Sequence, residues 1–403
     1  MTAERLPRTP TFLIVGVWLA LLVPELARSL AEPKVWRPVT DGETELSGFL
    51  APLTTACNAA LVLGCAVVVV LGVRRLPWGR ALPLALVLAA WLATVVPLVV
   101  DGRSPRLTAL IVPAVVTAMW AARPQRGHVE VLGYLTGALA ALSLVLGLAL
   151  PRSAIFERSA LVDGEKAVSP LGILAGVLQT GNLLGLALAV GLASVLVVRR
   201  DWHRWTLLGL VLVALVWSAS RTSLVAAAAV GVAWLGMALA SSGRGGALVS
   251  PPRRLATWWL VLVAIGALAL PFLTTSATAF TNRGGYWIAS LEAWGSSPWI
   301  GHGADYFKLL ALGEDNLGGH AYHAHNQVVQ VLVTGGVLLG VLAVAILVVL
   351  GVRAVRWAAL GDAWPVLVLT AFAVVASFEV PVGLVDRLVY VPFVLVPLAL
   401  VAF

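Results

Sequence analysis

Apolar residues fill the chain in runs of roughly 17–25 positions, long enough to cross a hydrocarbon core about 30 Å thick. Short polar segments carrying most of the charge separate them. Lipid offers the backbone no hydrogen-bond partner, so runs of this kind predict transmembrane helices. They are too long and too uniformly apolar for the alternating strands of an outer-membrane barrel. Twelve spans follow, at about 11–31, 49–73, 81–100, 107–122, 131–150, 177–198, 205–219, 223–240, 257–273, 327–352, 364–380 and 387–403. The expectation is an all-α polytopic membrane protein. Residues 1–403 form one transmembrane domain, and the largest connecting loop, 274–326, lies between the ninth and tenth spans.

Composition agrees with the pattern. Of 403 residues, 60% are hydrophobic and 11% charged, with a mean hydropathy of +0.96, which excludes an ordinary soluble domain. The formal net charge is +8. Its arginines sit in short loops, so the charge describes topology and not a nucleic-acid partner. With the N-terminus in the cytoplasm, fifteen basic and four acidic residues fall on the inner side, and twelve basic and fifteen acidic on the outer. This bias predicts both termini inside and the 274–326 loop outside, on the cytoplasmic membrane. Cys57 and Cys65 share the second span and read as packing residues. The first apolar run lacks a clear cleavage site, so the first helix is expected to be retained. The 241–256 segment, SSGRGGALVSPPRRLA, reads as a flexible inner connector.

The 281–340 stretch interrupts the apolar pattern. It carries His302, His320, His323 and His325, together with Arg283, Glu292, Asp305, Glu314 and Asp315. Arg221, in WSASRTSLVAAAAV, stands between two apolar runs with almost no loop. An arginine at a membrane edge either snorkels, pairs with an acid, or grips an anion, for which its planar fork suits phosphate. Arg283, in TNRGGYWIASLEAW, admits the same two readings: part of an interfacial Arg–Trp belt with Trp287 and Trp294, or a second phosphate ligand. His325 opens the tenth span. It is either a helix-entry histidine bonded to backbone or a general base near neutral pH, with Asn326 orienting it or a substrate. His320, His323 and His325 spell H-x-x-H-x-H, but no established zinc spacing is present, so no metal is assigned. The nearby carboxylates Asp305, Glu314 and Asp315 keep a divalent-ion alternative open. No phosphate-binding glycine loop or nucleophile elbow occurs, which argues against soluble nucleotides as substrates.

Three blocks resemble, in order and spacing, the O-antigen ligase family, which includes O-antigen polymerases. They are GVLQTGNLLGLALA at 176–189, SASRTSLVAA at 218–227, and a composite of NRGGYW, SPWIGHGADYF and HAHNQVVQVLVTGGVLLG. The composite is similar to the family's R-x-x-x-W, P-x-x-G-x-G and H-N-x-x-x-Q-x-x-x-x-x-G signatures. The resemblance covers roughly 170–340. It implies a fold of the polyprenyl-sugar-using glycosyltransferase type and a glycan on undecaprenyl diphosphate as donor. The acceptor would be the hydroxyl of a glycolipid, glycan or protein. By position, Arg221 and Arg283 would bind the diphosphate and His325 would be the base of a metal-independent, inverting transfer without cofactor. Gln179 and Asn182 would bind sugar or backbone, and Trp287, His323 and Asn326 would add substrate contacts. A polymerase using the same donor is the alternative within the family. A lipid or solute transporter is the alternative from another class; the lack of an evident repeat between the halves tells against it.

Overall fold

The computed structural model describes residues 7–34, 48–72, 79, 81–100, 102, 104–156, 171–242, 251–312, 323–385 and 387–403. The expectations on His320, Glu314, Asp315 and half of the 241–256 connector (243–250) lie outside these residues. The described chain is predominantly helical. In order come α1 (Arg8–Ala31), α2 (Leu50–Gly72), α3 (Leu82–Val100), a 3₁₀ turn (Leu107–Leu110) running into α4 (Ile111–Ala122), and α5 (His128–Ala149). The short α6 (Pro151–Ala154) leads to a two-residue antiparallel pair, β1 (Ile155–Phe156) with β2 (Ile173–Leu174). Then follow α7 (Gly181–Val195), α8 (Asp201–Trp217), α9 (Arg221–Ser242) and α10 (Pro251–Leu273). The chain ends with α11 (Ala279–Ser296), α12 (Tyr306–Leu312), α13 (Gln327–Ala359), α14 (Trp364–Ala376), a mixed 3₁₀ and π segment (388–395), and α15 (Val396–Ala402).

Among the described residues, seven helices are long and apolar enough to cross a membrane: α1, α2, α3, α5, α9, α10 and α13. Four shorter apolar helical stretches accompany them, at Leu107–Ala122, Gly181–Val195, Trp364–Ala376 and Leu388–Ala402. The architecture is that of a polytopic membrane protein. The sequence expectation of long spans at 177–198, 364–380 and 387–403 gives way to shorter helices. The first starts only at the Thr180 cap, whose Oγ1 accepts the Leu183 N–H. The last contains Pro392 and Pro397, and proline cannot donate to the helical ladder. The 274–326 segment is also more structured than a loop, since it contains α11 and α12.

Burial separates a protein-facing core from a lipid-facing surface. α7 is the central strut: every residue except Asn182 is buried, and α5, α8, α9 and α14 pack around it. The Trp364 indole N–H reaches the buried Ser194 hydroxyl at 2.9 Å, tying α14 to α7. The outward faces of α2 and α10, by contrast, present Leu63, Val67, Val70, Leu71, Trp258, Leu262 and Ile265. So large an exposed apolar surface is costly in water and costs nothing in hydrocarbon.

α13 is broken near its start. Gly336 has φ 60° and ψ −160°, a conformation open essentially only to glycine. The break frees helical donors and acceptors, which must be satisfied elsewhere. The loop after α11 supplies the partners. The N–H groups of His302 and Gly303 donate to the carbonyls of Val333 and Thr334 at 2.7 and 3.0 Å. Those of Val337 and Leu338 donate to the carbonyls of Pro298 and Trp299 at 2.8 and 3.1 Å. The P-x-x-G-x-G segment and the terminal glycine of the histidine signature are therefore two halves of one splice.

A Cβ at position 336 would lie 2.3 Å from the Trp299 carbonyl carbon, whereas one at Gly351 on the same helix meets open space. Gly336→Ala is expected to lower the thermal midpoint in detergent by several degrees, backbone strain alone costing about 1–3 kcal/mol. Gly351→Ala should leave the midpoint unchanged. Equal midpoints for the two variants would remove the splice as a structural requirement.

Candidate functional site

The polar cluster forms where four ends of the chain converge: the α8–α9 junction, the start of α11, the entry to α13 and the segment after α14. Helix chemistry brings them together. Asn326 caps α13, its Oδ1 accepting the N–H groups of Val328 and Val329 at 2.9 and 3.1 Å. Its Nδ2 donates to the Ser377 carbonyl at 2.9 Å, pulling the end of α14 against the start of α13. Gln327 completes the clamp by bonding the backbone of Val382 from both ends of its amide. On the other side, Gly185 lets α7 approach the Ser-Arg segment closely. A Cβ there would meet Ser220 and Ser223 at 2.6 and 2.8 Å.

At the centre lies Glu379, 7% exposed and two residues beyond Ser377. Its Oε1 accepts from Arg283 Nη2 at 2.6 Å, and its Oε2 lies 3.6 Å from Nδ1 of His325. Nη1 of Arg283 reaches the Thr222 hydroxyl at 3.4 Å, the residue next to Arg221 at the start of α9. Arg283 itself begins the regular part of α11. Phe280, Thr281 and Asn282 before it hold left-handed backbone conformations, with φ 55°, 63° and 65°. His325 is also left-handed, with φ 50°. Its N–H donates to Nδ1 of the buried His323 at 2.8 Å, and the two imidazoles lie tilted at 42° with centroids 3.8 Å apart. Tyr286 flanks the His325 ring at 5.6 Å. The fully buried Trp287 approaches the His325 carbonyl with its indole N–H at 3.4 Å.

Burial alone would raise the pKa of Glu379. The neighbouring His325 imidazole and the charges of Arg283 and Arg387 outweigh it and hold the carboxyl below its usual value. His323 is pushed well below the ordinary 6.5, first by burial and then by the neighbouring Arg387, His325 and Arg283. The centre thus contains a carboxylate bridging a guanidinium and an imidazole, with a neutral histidine beneath it. Ligand atoms of His323, His325 and Glu379 lie within 4.8 Å of one another, the spacing of a metal site. Two of the three residues already accept hydrogen bonds, His323 from the His325 N–H and Glu379 from Arg283.

The expected site residues divide into groups. His325, Arg283 and His323 meet around Glu379, and Arg221 adjoins them through Thr222. Asn326 and Trp287 are fully buried supports, the first committed to backbone and the second packed with Phe280 and Phe378. Asn182 is the second residue of α7 and half-buried. Gln179 is elsewhere: its amide bonds Glu25 at 2.8 Å and Lys34 at 3.4 Å. His302 staples its own loop, with Nε2 2.7 Å from the Ala293 carbonyl. Sequence reasoning missed Glu379, having enclosed it in the span 364–380. The signal was an acid at the edge of an apolar run, which warranted the treatment given to Arg221.

The fold and this cluster define a polytopic membrane protein with a charged, histidine-bearing centre at one end of its helices. The O-antigen ligase family model matches residues 206–344, and the match supports assigning the chain to that family and to its type of glycosyl transfer. The matched stretch contains Arg221, Arg283 and His325, while Glu379 lies beyond it. Comparison with curated proteins finds no match.

The depressed His323 pKa sets the sign of a pH effect. Below about 6.5 the unfolded chain binds a proton that folded His323 refuses, so stability is lost as pH falls. Glu379 contributes little to this window, because its unfolded value of 4.5 lies lower still. The thermal midpoint is expected to fall between pH 7 and pH 5, with a shallower slope in His323→Gln. An unchanged slope in that variant would refute the assignment.

Proposed function

We propose that the protein transfers a glycan from undecaprenyl diphosphate to an acceptor hydroxyl on the outer face of the cytoplasmic membrane. The observation that carries this reading is the single carboxylate of Glu379 shared by Arg283 and His325. Facing Glu379, Nδ1 of His325 would carry the proton, which leaves Nε2 as the acceptor of a proton from substrate. A carboxylate fixes the tautomer of a catalytic histidine in this way and stabilises the imidazolium that forms.

In the proposed reaction the acceptor oxygen attacks the anomeric carbon as its proton passes to Nε2 of His325. The glycosidic bond forms while the bond to the diphosphate oxygen breaks, and in-line displacement inverts the centre. Undecaprenyl diphosphate leaves without needing a proton. Arg221 and Arg283 would balance its charge, guanidinium forks being suited to phosphate oxygens. The lipid tail would lie in an apolar cavity of about 1090 Å³ beside α13, lined by α3, α10 and α15. At one end it reaches Gln327, Val380 and Val382, next to Glu379. The charge distribution of the loops supports the outer-face orientation with both termini inside.

The test is reconstitution with a purified undecaprenyl-diphosphate glycan and candidate acceptors. Glycan transfer with release of undecaprenyl diphosphate is expected, and it should persist in EDTA. Movement of the intact lipid without bond cleavage would favour a transporter. His325→Ala is expected to lower kcat by about 10²–10⁴-fold, the usual contribution of a general base. Glu379→Gln should lower kcat with a smaller effect on donor KM, because it acts through His325. Arg221→Ala and Arg283→Ala should each weaken donor binding about tenfold or more, as lost charge-assisted bonds do. Wild-type kcat in His325→Ala would sink the base assignment.

A further inference from the structure

A second cavity, of about 580 Å³, opens at the same helix ends, a volume within the usual range of small-ligand sites, about 300–1,000 Å³. It meets the apolar cavity, since Ala304, Gln330 and Val385 line both. It also adjoins the centre: Gln330 Oε1 accepts the N–H of Ala324, the residue before His325, at 3.0 Å. Its charged lining groups are committed to the protein. Arg28 pairs with Glu32 at 3.2 Å, Glu25 accepts from Gln179 at 2.8 Å, and Arg387 donates to the Val380 carbonyl at 3.4 Å. Arg106, Lys308 and Asp305 are engaged as well. The groups left to meet a ligand are therefore the uncharged ones.

Two of these stand on α2. Thr54 and Asn58 are four residues apart, hence on one face of the helix, and both line the cavity. Asn58 lies eight residues into α2, about 12 Å along its axis at 1.5 Å per residue. It is only 6% exposed. Other polar side chains in the long helices satisfy themselves. Thr55, Thr94 and Thr136 each donate to the carbonyl four residues back, at 2.9, 2.9 and 2.8 Å. Among the described residues, no hydrogen-bond partner is found for the Asn58 amide or the Thr54 hydroxyl. An amide buried in a membrane helix without a partner is costly, and such groups face a cavity that uses them. Leu50 and Phe307, both buried, add apolar wall to the same cavity.

Resting on the glycosyl-transfer reading above, we infer that the second cavity is a subsite for a neutral, hydroxyl-bearing sugar residue, held by Asn58 and Thr54. An amide offers one acceptor oxygen and two donor hydrogens, and a hydroxyl plays both roles. That set matches sugar hydroxyls, while the apolar wall suits the C–H face of the ring. An acidic sugar would find the cations already engaged. The sugar belongs either to the donor glycan or to the acceptor.

The test titrates full-length protein in detergent with neutral tetrasaccharides of glucose, galactose, mannose or N-acetylglucosamine, and with a glucuronate-containing one. At least one neutral sugar is expected to bind, and Asn58→Leu should weaken it about tenfold, as the loss of one or two hydrogen bonds does. The thermal midpoint of Asn58→Leu should equal or exceed that of the wild type, because the amide has no protein partner to lose. Thr54→Val should weaken the same sugar about threefold at an unchanged midpoint. Four results overturn the inference: no neutral sugar bound, equal affinity in wild type and Asn58→Leu, a loss of affinity matched by a lower midpoint, or tighter binding of the glucuronate sugar than of every neutral one. In the transfer assay, Asn58→Leu should raise one KM about tenfold. A rise for the donor assigns the sugar to the donor glycan, and a rise for the acceptor assigns it to the acceptor; either supports the subsite. Transfer with both KM values unchanged overturns the subsite and leaves the transfer reading standing. Sugar binding that depends on Asn58 in a protein that transfers no glycan retains the subsite and refutes the transfer reading.

Discussion

A carboxylate taken out of water must be paired, or it stays protonated and contributes nothing as a charge. Glu379 is buried and pairs with Arg283 at 2.6 Å, and this contact determines much of what surrounds it. To deliver the guanidinium, α11 must begin at Arg283, and the three left-handed residues before it are the cost of that start. To deliver the imidazole, the chain must turn sharply at His325 before entering α13, again through a left-handed residue. Left-handed backbone is costly for Phe280 and Thr281, and less so for Asn282 and His325, whose types enter it more readily. Strain on both approaches to one carboxylate is consistent with a site that outranks local preference.

The helix ends nearby follow the same logic of satisfied backbone. Within an apolar environment a broken helix is tolerated only where another segment restores its hydrogen bonds. The loop at 298–303 restores those of α13, and Asn326 caps its first turn while holding Ser377. These contacts place the segment bearing Glu379 beside the residue bearing the imidazole. Asn326 is thus important to the site without facing it. A residue can occupy a signature because it builds the scaffold rather than because it meets the substrate.

Much of the fold was legible in hydropathy, because lipid imposes one solution on a long apolar run. The long helices α1, α2, α3, α9, α10 and α13 start or end within a few residues of the expected spans. The ends of α7, α14 and α15 were less legible, since they depend on caps, prolines and the needs of the site. Arg221, Arg283 and His325 could be singled out because ionisable groups in an apolar chain demand a reason. Glu379 carried the same signal, yet drawing it inside a span concealed it. The position of Gln179 could not be read at all. Its partners, Glu25 and Lys34, lie about 150 residues away in sequence, and only the packing of α1 against the α5–α7 connection joins them.

The charges of the centre also bear on what it can hold. Arg283 is offset by Glu379, while Arg221 and Arg387 add two further cations close by. His323 does not add a third, since burial and the charges of Arg387, His325 and Arg283 keep it neutral. A positively charged His323 would have drawn Glu379 from His325 and weakened the partner that orients the base. Its neutrality leaves the carboxylate to one imidazole and one guanidinium, with positive potential remaining at the edge of the cluster. An anionic leaving group sheltered from bulk water would meet that potential at full strength, because low dielectric amplifies preorganised charge. The same burial that makes the cluster expensive to assemble is what would make it effective.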